Sequence, residues 1–406
     1  MRAGRKPVLI ALTTAAAALL TALLPVSTPS AAAAAPQPDS ALYTQRLKDD
    51  FNSIDTNTWK YRTDGKRYSC QQADNVSARD GHLVIALKKE SATCDGKAYE
   101  YSGGGLISKK KFRYGYYETR AKINKGPGWH TAFWSMCGNT SNTADPCRKT
   151  EIDGFEIESS RPKEMRHNIF DWTRNGLTVS SQMYDSGIDT SADWHTYGYL
   201  YDETGVTFYI DGKPAPQKGQ VDANGKLKWT ATEHPGDWMN IWLTSIAYET
   251  PPAGGSATGE VLFDYVTFSE KNRYIDNDEP LSGTYTESGS GWATSGDAKS
   301  GFAESTSRYS CTSGSSAQWS TQGLAPGKYT AWVYNVSNAT SDPAAKLTFT
   351  HDGTATTSTL DQKTTPTGWK QIGGTVTLGS GNQSIKIAAS GTGCARADSV
   401  KFVRTA

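Results

Sequence analysis

The sequence predicts an all-β protein: two packed antiparallel sheets, followed by a second, smaller domain that also reads as strands. Three observations lead there. Short segments rich in Tyr, Trp, Val and Thr recur along the chain and are broken by Gly, Asn and Asp turns, the pattern of half-buried strands. No long amphipathic helix follows the N-terminal apolar run. The chain, at 406 residues, also exceeds one ordinary domain, and its composition shifts toward Ser, Thr, Gly and Ala after Tyr274.

At the N-terminus, Arg2, Arg5 and Lys6 precede an apolar run from Val8 to Leu24, and Ala31 to Ala35 supply small residues in an A-x-A cleavage pattern. Residues 1–35 are therefore expected to be a signal peptide and the protein to be secreted and extracellular. A membrane anchor is the competing reading, but the run falls short of the ~20 residues a spanning helix needs. The 42 Lys and Arg residues balance 41 Asp and Glu, which leaves no electrostatic footprint for nucleic acid or an anionic membrane. Six cysteines in an exported chain are expected to form disulfides. Grouping them by region suggests Cys70 with Cys94, Cys137 with Cys147 and Cys311 with Cys394. No C-x-x-C pair is present, which argues against zinc and thiol-redox chemistry.

The segment richest in chemistry is Glu151-Ile152-Asp153-Gly154-Phe155-Glu156, with three carboxylates in six positions of a stretch that reads as a buried strand. Burying charge is costly unless chemistry requires it. Strand alternation puts Glu151 and Asp153 on one face and Glu156 on the other. A β-bulge would return Glu156 to their face, and Gly154 is the residue that most easily takes the required backbone. Two carboxyls about 5 Å apart across a sugar are the apparatus of a retaining glycosidase. Asp153 between them would hydrogen-bond one and help keep its neighbour protonated. A metal cluster would more usually add His or further acids, and a solvated acidic face would not interleave Ile152, Phe155 and Ile157.

A carbohydrate cleft needs aromatic platforms and polar partners. Trp129, Trp134 and Trp172 are the candidate platforms; Asn75, Arg113, His130, His167 and Asn168 are the candidate polar partners. Trp129 follows the loop signal Gly126-Pro127-Gly128, which tilts it toward an exposed rim, whereas Trp194 and Trp242 read as core.

Around the hexapeptide the chain resembles the family-16 glycoside hydrolases. The signature E-x-D-x-x-E stands at Glu151 to Glu156. Further matches follow in order at Asn75-Val76-Ser77, Tyr101 to Ser108, Phe112 to Glu118, Gly128 to Trp134, Trp194 to Gly198, Phe208 to Gly212 and Leu262 to Val266. The resemblance implies a concanavalin-like jelly roll over residues 41–271. It also implies Glu151 as nucleophile, Glu156 as general acid/base and Asp153 as assisting carboxylate, with no cofactor for catalysis. A structural calcium held by Asp264 and the Gly81 carbonyl is a further implication. The bulged spacing is similar to the laminarinase, agarase and carrageenase branches, but Asp145 to Thr150 stand where many laminarinases carry a Trp-Pro segment, which weighs against a β-1,3-glucan. Residues 274–406 resemble the golvesin C-terminal or Xly carbohydrate-binding-like β-sandwich at Tyr274 to Asp278, Trp292, Ala317-Gln318-Trp319, Trp369 and Ala397 to Val400.

The expected function is a secreted, monomeric, retaining endo-β-glycosidase that hydrolyses a cell-wall or matrix polysaccharide of β-glucan or β-galactan type. A transglycosylase using the same residues is the alternative, and a lectin-like glycan-binding protein is a third reading. The intact set Glu151, Asp153 and Glu156 argues against the third.

Overall fold

The computed structural model describes residues 40–136, 150–172, 178–180, 183–203, 205–215, 227–228, 236–248, 258–278, 284–296 and 301–405. The expected signal peptide and the pair Cys137 and Cys147 lie outside the described residues. The other two expected disulfides, Cys70–Cys94 and Cys311–Cys394, are formed.

Alternation of apolar and polar residues builds a two-sheet sandwich. One sheet runs Trp59–Tyr61, Lys97–Ser108, Asn240–Ala247, Trp129–Met136, Thr150–Glu158, Glu164–Asp171 and Thr178–Ser180, all antiparallel. The other runs Val76–Arg79, His82–Cys94, Gly259–Glu270, Gly115–Lys122, His195–Asp202 and Gly205–Ile210. Odd positions of Trp129–Met136 (Trp129, Thr131, Phe133, Ser135) are buried in the sandwich, as are Ile241, Leu243, Ile152, Phe155 and Ile157 from neighbouring strands. The even positions of Trp129–Met136 face away from it, alongside Glu151, Asp153 and Glu156. This is the jelly-roll architecture expected from the sequence. Two-residue hairpins close at Asp80-Gly81, Asp95-Gly96, Asp211-Gly212 and Asp352-Gly353, where both residues have positive φ, the backbone that Asp-Gly tolerates best.

Residues from Arg273 onward form separate sheets. One orders Arg273–Asp276, Ser399–Arg404, Gly327–Asn335 and Gly368–Leu378; a second orders Tyr285–Ser288, Ser316–Thr321, Gln383–Ala388, Ala345–His351 and Thr354–Leu360. Trp319, Tyr329, Phe349 and Phe402 centre a second core.

The two cores belong to one compact unit. Tyr274 and Phe302, from the C-terminal region, are packed into the jelly-roll core, with Tyr114 against Tyr274 at 5.0 Å between ring centroids. Arg113, proposed from sequence as a sugar partner, is instead spent here: its Nη1 pairs with Asp276 Oδ2 at 3.2 Å, and the two side chains are only 4% and 1% exposed. Asp276 also accepts from Ser399 Oγ at 2.8 Å.

A buried ion pair contributes little net stability when intact, but removing one partner strands the other charge. Asp276→Ala should therefore cost about 3 kcal/mol, the low end of the usual range because it also relieves repulsion on Asp278 and Asp398. Urea denaturation followed by intrinsic fluorescence measures this; an unchanged midpoint would show that the pair does not hold the junction.

Candidate active site

The strand Thr150–Glu158 carries an irregularity between Asp153 and Phe155 against one neighbour, and between Asp153 and Glu156 against the other. Asp153 pairs with Trp134 and Phe155 with Phe133, so Gly154 has no counterpart and is the inserted residue. Glu151, Asp153 and Glu156 consequently share one face, as the spacing predicts. The reason for glycine differs from the expected one. Gly154 is not among the residues with positive φ. A Cβ there would lie 2.8 Å from the Phe133 ring, 2.9 Å from the Tyr199 ring and 3.1 Å from the Phe133 carbonyl, so the position is glycine for lack of space.

The three carboxylates sit in unlike surroundings. Glu151 Oε2 accepts from the Nε1 of Trp172, an exposed ring, at 3.0 Å. Asp153 is 2% exposed and accepts from Asn168 Nδ2 at 3.0 Å. Glu156 has the richest set: His130 Nε2 at 2.9 Å, Arg166 Nε at 2.7 Å, and a contact from the same Asn168 amide. Burial pushes the Glu151 carboxyl up to about 7, against the Trp172 hydrogen bond and with repulsion from Glu156 added. Burial, then the charges of Glu151 and Glu156, hold Asp153 well above the ordinary carboxylate range. Burial also pushes Glu156 up, but His130 and Arg166 outweigh it and draw the group down to about 2. In the free protein the negative charge is therefore held by Glu156, while Asp153 and Glu151 both keep a proton more readily than an ordinary carboxyl.

Trp134 lies beside them with its Nε1 donating to Thr244 Oγ1 at 2.9 Å, and its ring stacks on Trp242 at 4.5 Å. Trp242, read from sequence as core, is half-buried on this face and extends the platform. Arg166 and Tyr248 were also missed. Arg166 is hydrogen-bonded to both Glu156 and Tyr248, and the Tyr248 ring stacks on His130 at 4.8 Å. Strand parity carries the signal for two of the three: Trp242 alternates with buried Ile241 and Leu243, and Arg166 with buried Met165 and His167.

Several sequence candidates lie elsewhere. Trp129 is 1% exposed in the sandwich core, edge-on to Tyr101, because it has the opposite parity to His130 and Trp134. His167 is likewise internal: its Nδ1 lies 2.7 Å from the Gly154 carbonyl, its Nε2 2.7 Å from the Tyr184 hydroxyl, and its ring stacks on Phe208 at 4.4 Å. Burial lowers the His167 imidazole to about 4, so it is neutral and Nδ1–H donates to the bulge carbonyl. Asn75 is buried and donates to Ser102 Oγ and the Gly103 carbonyl at 2.8 and 2.9 Å, bracing a strand. Trp194 is half-buried outside the core, against His82 at 4.7 Å and under the Arg120 guanidinium.

Of the two groups named for a structural calcium, the Asp264 carboxylate already has cationic and imidazole neighbours. Asp264 commits its carboxylate to Arg120 Nη1 at 2.7 Å and faces His82 Nδ1 at 3.3 Å. Among the described residues no group of three or more His, Cys, Asp or Glu side chains is arranged to hold a metal ion. Gly81 serves the hairpin turn, with φ of 75°.

Comparison with known proteins follows the same segment. The profile of glycosyl hydrolases family 16 matches residues 64–267. A β-glucanase of Acetivibrio thermocellus is 26% identical over 233 residues, covering 57% of this chain and 64% of that protein. A κ-carrageenase of Pseudoalteromonas carrageenovora is 25% identical over 250 residues, covering 54% and 62%. The chain thus spans less than two thirds of the length of either relative. Among solved structures, the laminarinase catalytic domain from Thermotoga maritima aligns with a TM-score of 0.47 and 21% identity, covering 56% of this chain and 98% of that one.

Two outcomes are expected. Gly154→Ala should destabilise by roughly 1–3 kcal/mol through overpacking and lower kcat by displacing Glu156, measured by urea denaturation and steady-state kinetics; a fully active, equally stable variant would remove the steric account. His167 has its folded value lowered from an ordinary 6.5 to about 4, so its stabilisation is full above 6.5 and is lost as pH falls through 4. In His167→Phe that segment of the stability–pH curve should flatten; an unchanged slope between pH 6.5 and 4 would place the dependence elsewhere.

Proposed function

The chain belongs to glycosyl hydrolases family 16, and from that premise we propose that it is a secreted, retaining endo-β-glycosidase acting on a cell-wall or matrix polysaccharide. The observation that supports this most directly is the return of Glu156, across the bulge, to the face of Glu151 and Asp153, beside the stacked pair Trp134 and Trp242. Glu151 attacks the anomeric carbon while Glu156 protonates the leaving oxygen; Glu156 then takes a proton from the water that releases the glycosyl-enzyme. The flat rings of Trp134, Trp242 and Trp172 offer stacking surfaces for the C–H faces of sugars.

Charge in the free site is arranged for the second of these steps, since Glu156 is ionised and so able to act as base. The first step needs it protonated. A sugar oxygen that approaches Glu156 competes with His130 and Arg166, the two groups that hold it ionised, and excludes water from all three carboxylates. The proton kept by Asp153 is then redistributed within a coupled set rather than drawn from bulk solvent. Asn168, which donates to both Asp153 and Glu156, keeps the two adjacent during the exchange.

Two disulfides among the described residues fit an oxidising compartment. The C-terminal sheets are read as a carbohydrate-binding module on the resemblance at Tyr274 to Asp278 and Ala397 to Val400. β-Glucans and β-galactans are the substrate classes, with a single chain as the working unit.

Stereochemistry separates the roles. With an activated glycosyl fluoride, Glu151→Gly should accept azide in a single displacement and yield the inverted glycosyl azide. Glu156→Ala, with a substrate bearing a good leaving group, should form the intermediate and yield the retained azide. Exchanged stereochemistry would reverse the assignment, full activity in both variants would remove both glutamates from the chemistry, and no hydrolysis by the unmodified chain of laminarin, mixed-linkage glucan, agarose, carrageenan or β-galactan would end the glycosidase reading.

A further inference from the structure

Away from the carboxylates, the junction between the jelly roll and the C-terminal sheets is indented by a half-open cavity of about 360 Å³. Its size lies at the small end of the roughly 300–1,000 Å³ typical of ligand sites, fitting one substituted sugar unit better than a long chain segment. The wall is unusual in charge. Among the described residues, Arg46, Lys110, Lys111, Arg113 and Arg273 line it, with one carboxylate, that of Glu270. Glu270 is already engaged, with Arg46 at 2.6 Å and Arg273 at 3.8 Å. Two guanidinium nitrogens on these lining residues, Arg46 Nη2 and Arg113 Nε, are buried without a hydrogen-bond partner, and Arg113 as a whole is 4% exposed. Buried guanidinium donors left unpaired favour an anion even where the charge itself has a carboxylate partner, as Arg113 has in Asp276, and guanidinium forks match flat or tetrahedral oxyanions.

Aromatic rings stand beside the cations. The Arg113 guanidinium lies over Trp238 at 5.4 Å, and Trp238 and Tyr274 both line the cavity. The combination suits a sugar ring that bears an anionic group, the ring against an aromatic face and the anion against arginine. The cavity also adjoins the catalytic strand: Asp237, next to Trp238, accepts from the Thr150 backbone N–H at 3.1 Å, and Glu151 follows directly.

We propose that this junction cavity is a binding site for a sugar carrying a carboxylate or sulfate ester, so that the enzyme recognises an acidic unit of its polysaccharide or of a neighbouring glycan. The choice of a sugar rests on the glycosidase reading; the choice of an anion rests on the cavity alone. Calorimetric titration at low salt, on the full chain carrying Glu151→Gln, compares glucuronic acid, galactose 6-sulfate, galactose and inorganic sulfate. Saturable binding of at least one acidic sugar is expected, with inorganic sulfate about tenfold weaker or worse, galactose not binding, and the affinity falling as salt is added. Arg46→Gln or Lys110→Gln should weaken it by about tenfold; Lys110 is exposed, so its variant should keep the parent melting temperature. No binding of either acidic sugar, equal binding of galactose, inorganic sulfate binding as tightly as the sugars, or affinity unchanged in both variants would each overturn the site. Polysaccharide hydrolysis by the unmodified chain, assayed in parallel, keeps the two readings apart. Hydrolysis without acidic-sugar binding sinks this inference alone, and binding without hydrolysis of any glycan sinks only the catalytic reading.

Discussion

Everything in the active site depends on one residue without a partner. A strand repeats every two residues, so an acid five positions after another points the wrong way unless the ladder slips. The slip at Gly154 is secured from the inside of the sandwich. Phe133 and Tyr199, from opposite sheets, close the space a side chain would need, and His167 holds the peptide oxygen that the bulge leaves outside the ladder. The face that carries the three carboxylates is therefore set by packing on the other side of the sheet. A core residue such as Tyr199, which no substrate would touch, has a part in aiming Glu156.

Given that geometry, chemically similar side chains are distinguished only by their neighbours. Glu151 has an indole N–H and little else; Asp153 has one amide and two repelling charges; Glu156 has a guanidinium, an imidazole and the shared amide. The same physics makes one carboxyl hard to ionise and another hard to protonate within six residues of chain.

Local information reached the fold and the carboxylates because both are written in short-range pattern: alternation for strands, Asp-Gly for hairpins, three acids in six positions. It also contained the correct placement of Trp129 and His167. Trp129 shares parity with Phe133, and His167 with Met165 and Ile169, so each belonged to the core; a nearby loop signal and a cleft analogy outweighed that simpler evidence. Arg113 and Asn75 are different. Their partners, Asp276 and the Ser102–Gly103 segment, lie 163 and 27 or 28 positions away, and no local pattern announces a pairing over that distance. The role of Gly154 was legible as a bulge but not as a steric need, since Phe133 and Tyr199 meet it only after both sheets have assembled.

The Arg113–Asp276 pair also has a bearing on how the chain matures. Arg113 belongs to the early part of the sequence, whereas the segment that presents Asp276 is a strand that, among the described residues, pairs only with residues 399–404. A chain that has every strand of the jelly roll still lacks the counter-charge for an arginine in its interior, and lacks the Phe302 ring that covers it. Closing that junction joins side chains 163 positions apart in the sequence, a non-local contact whose loop-closure entropy is met before its pairing is gained.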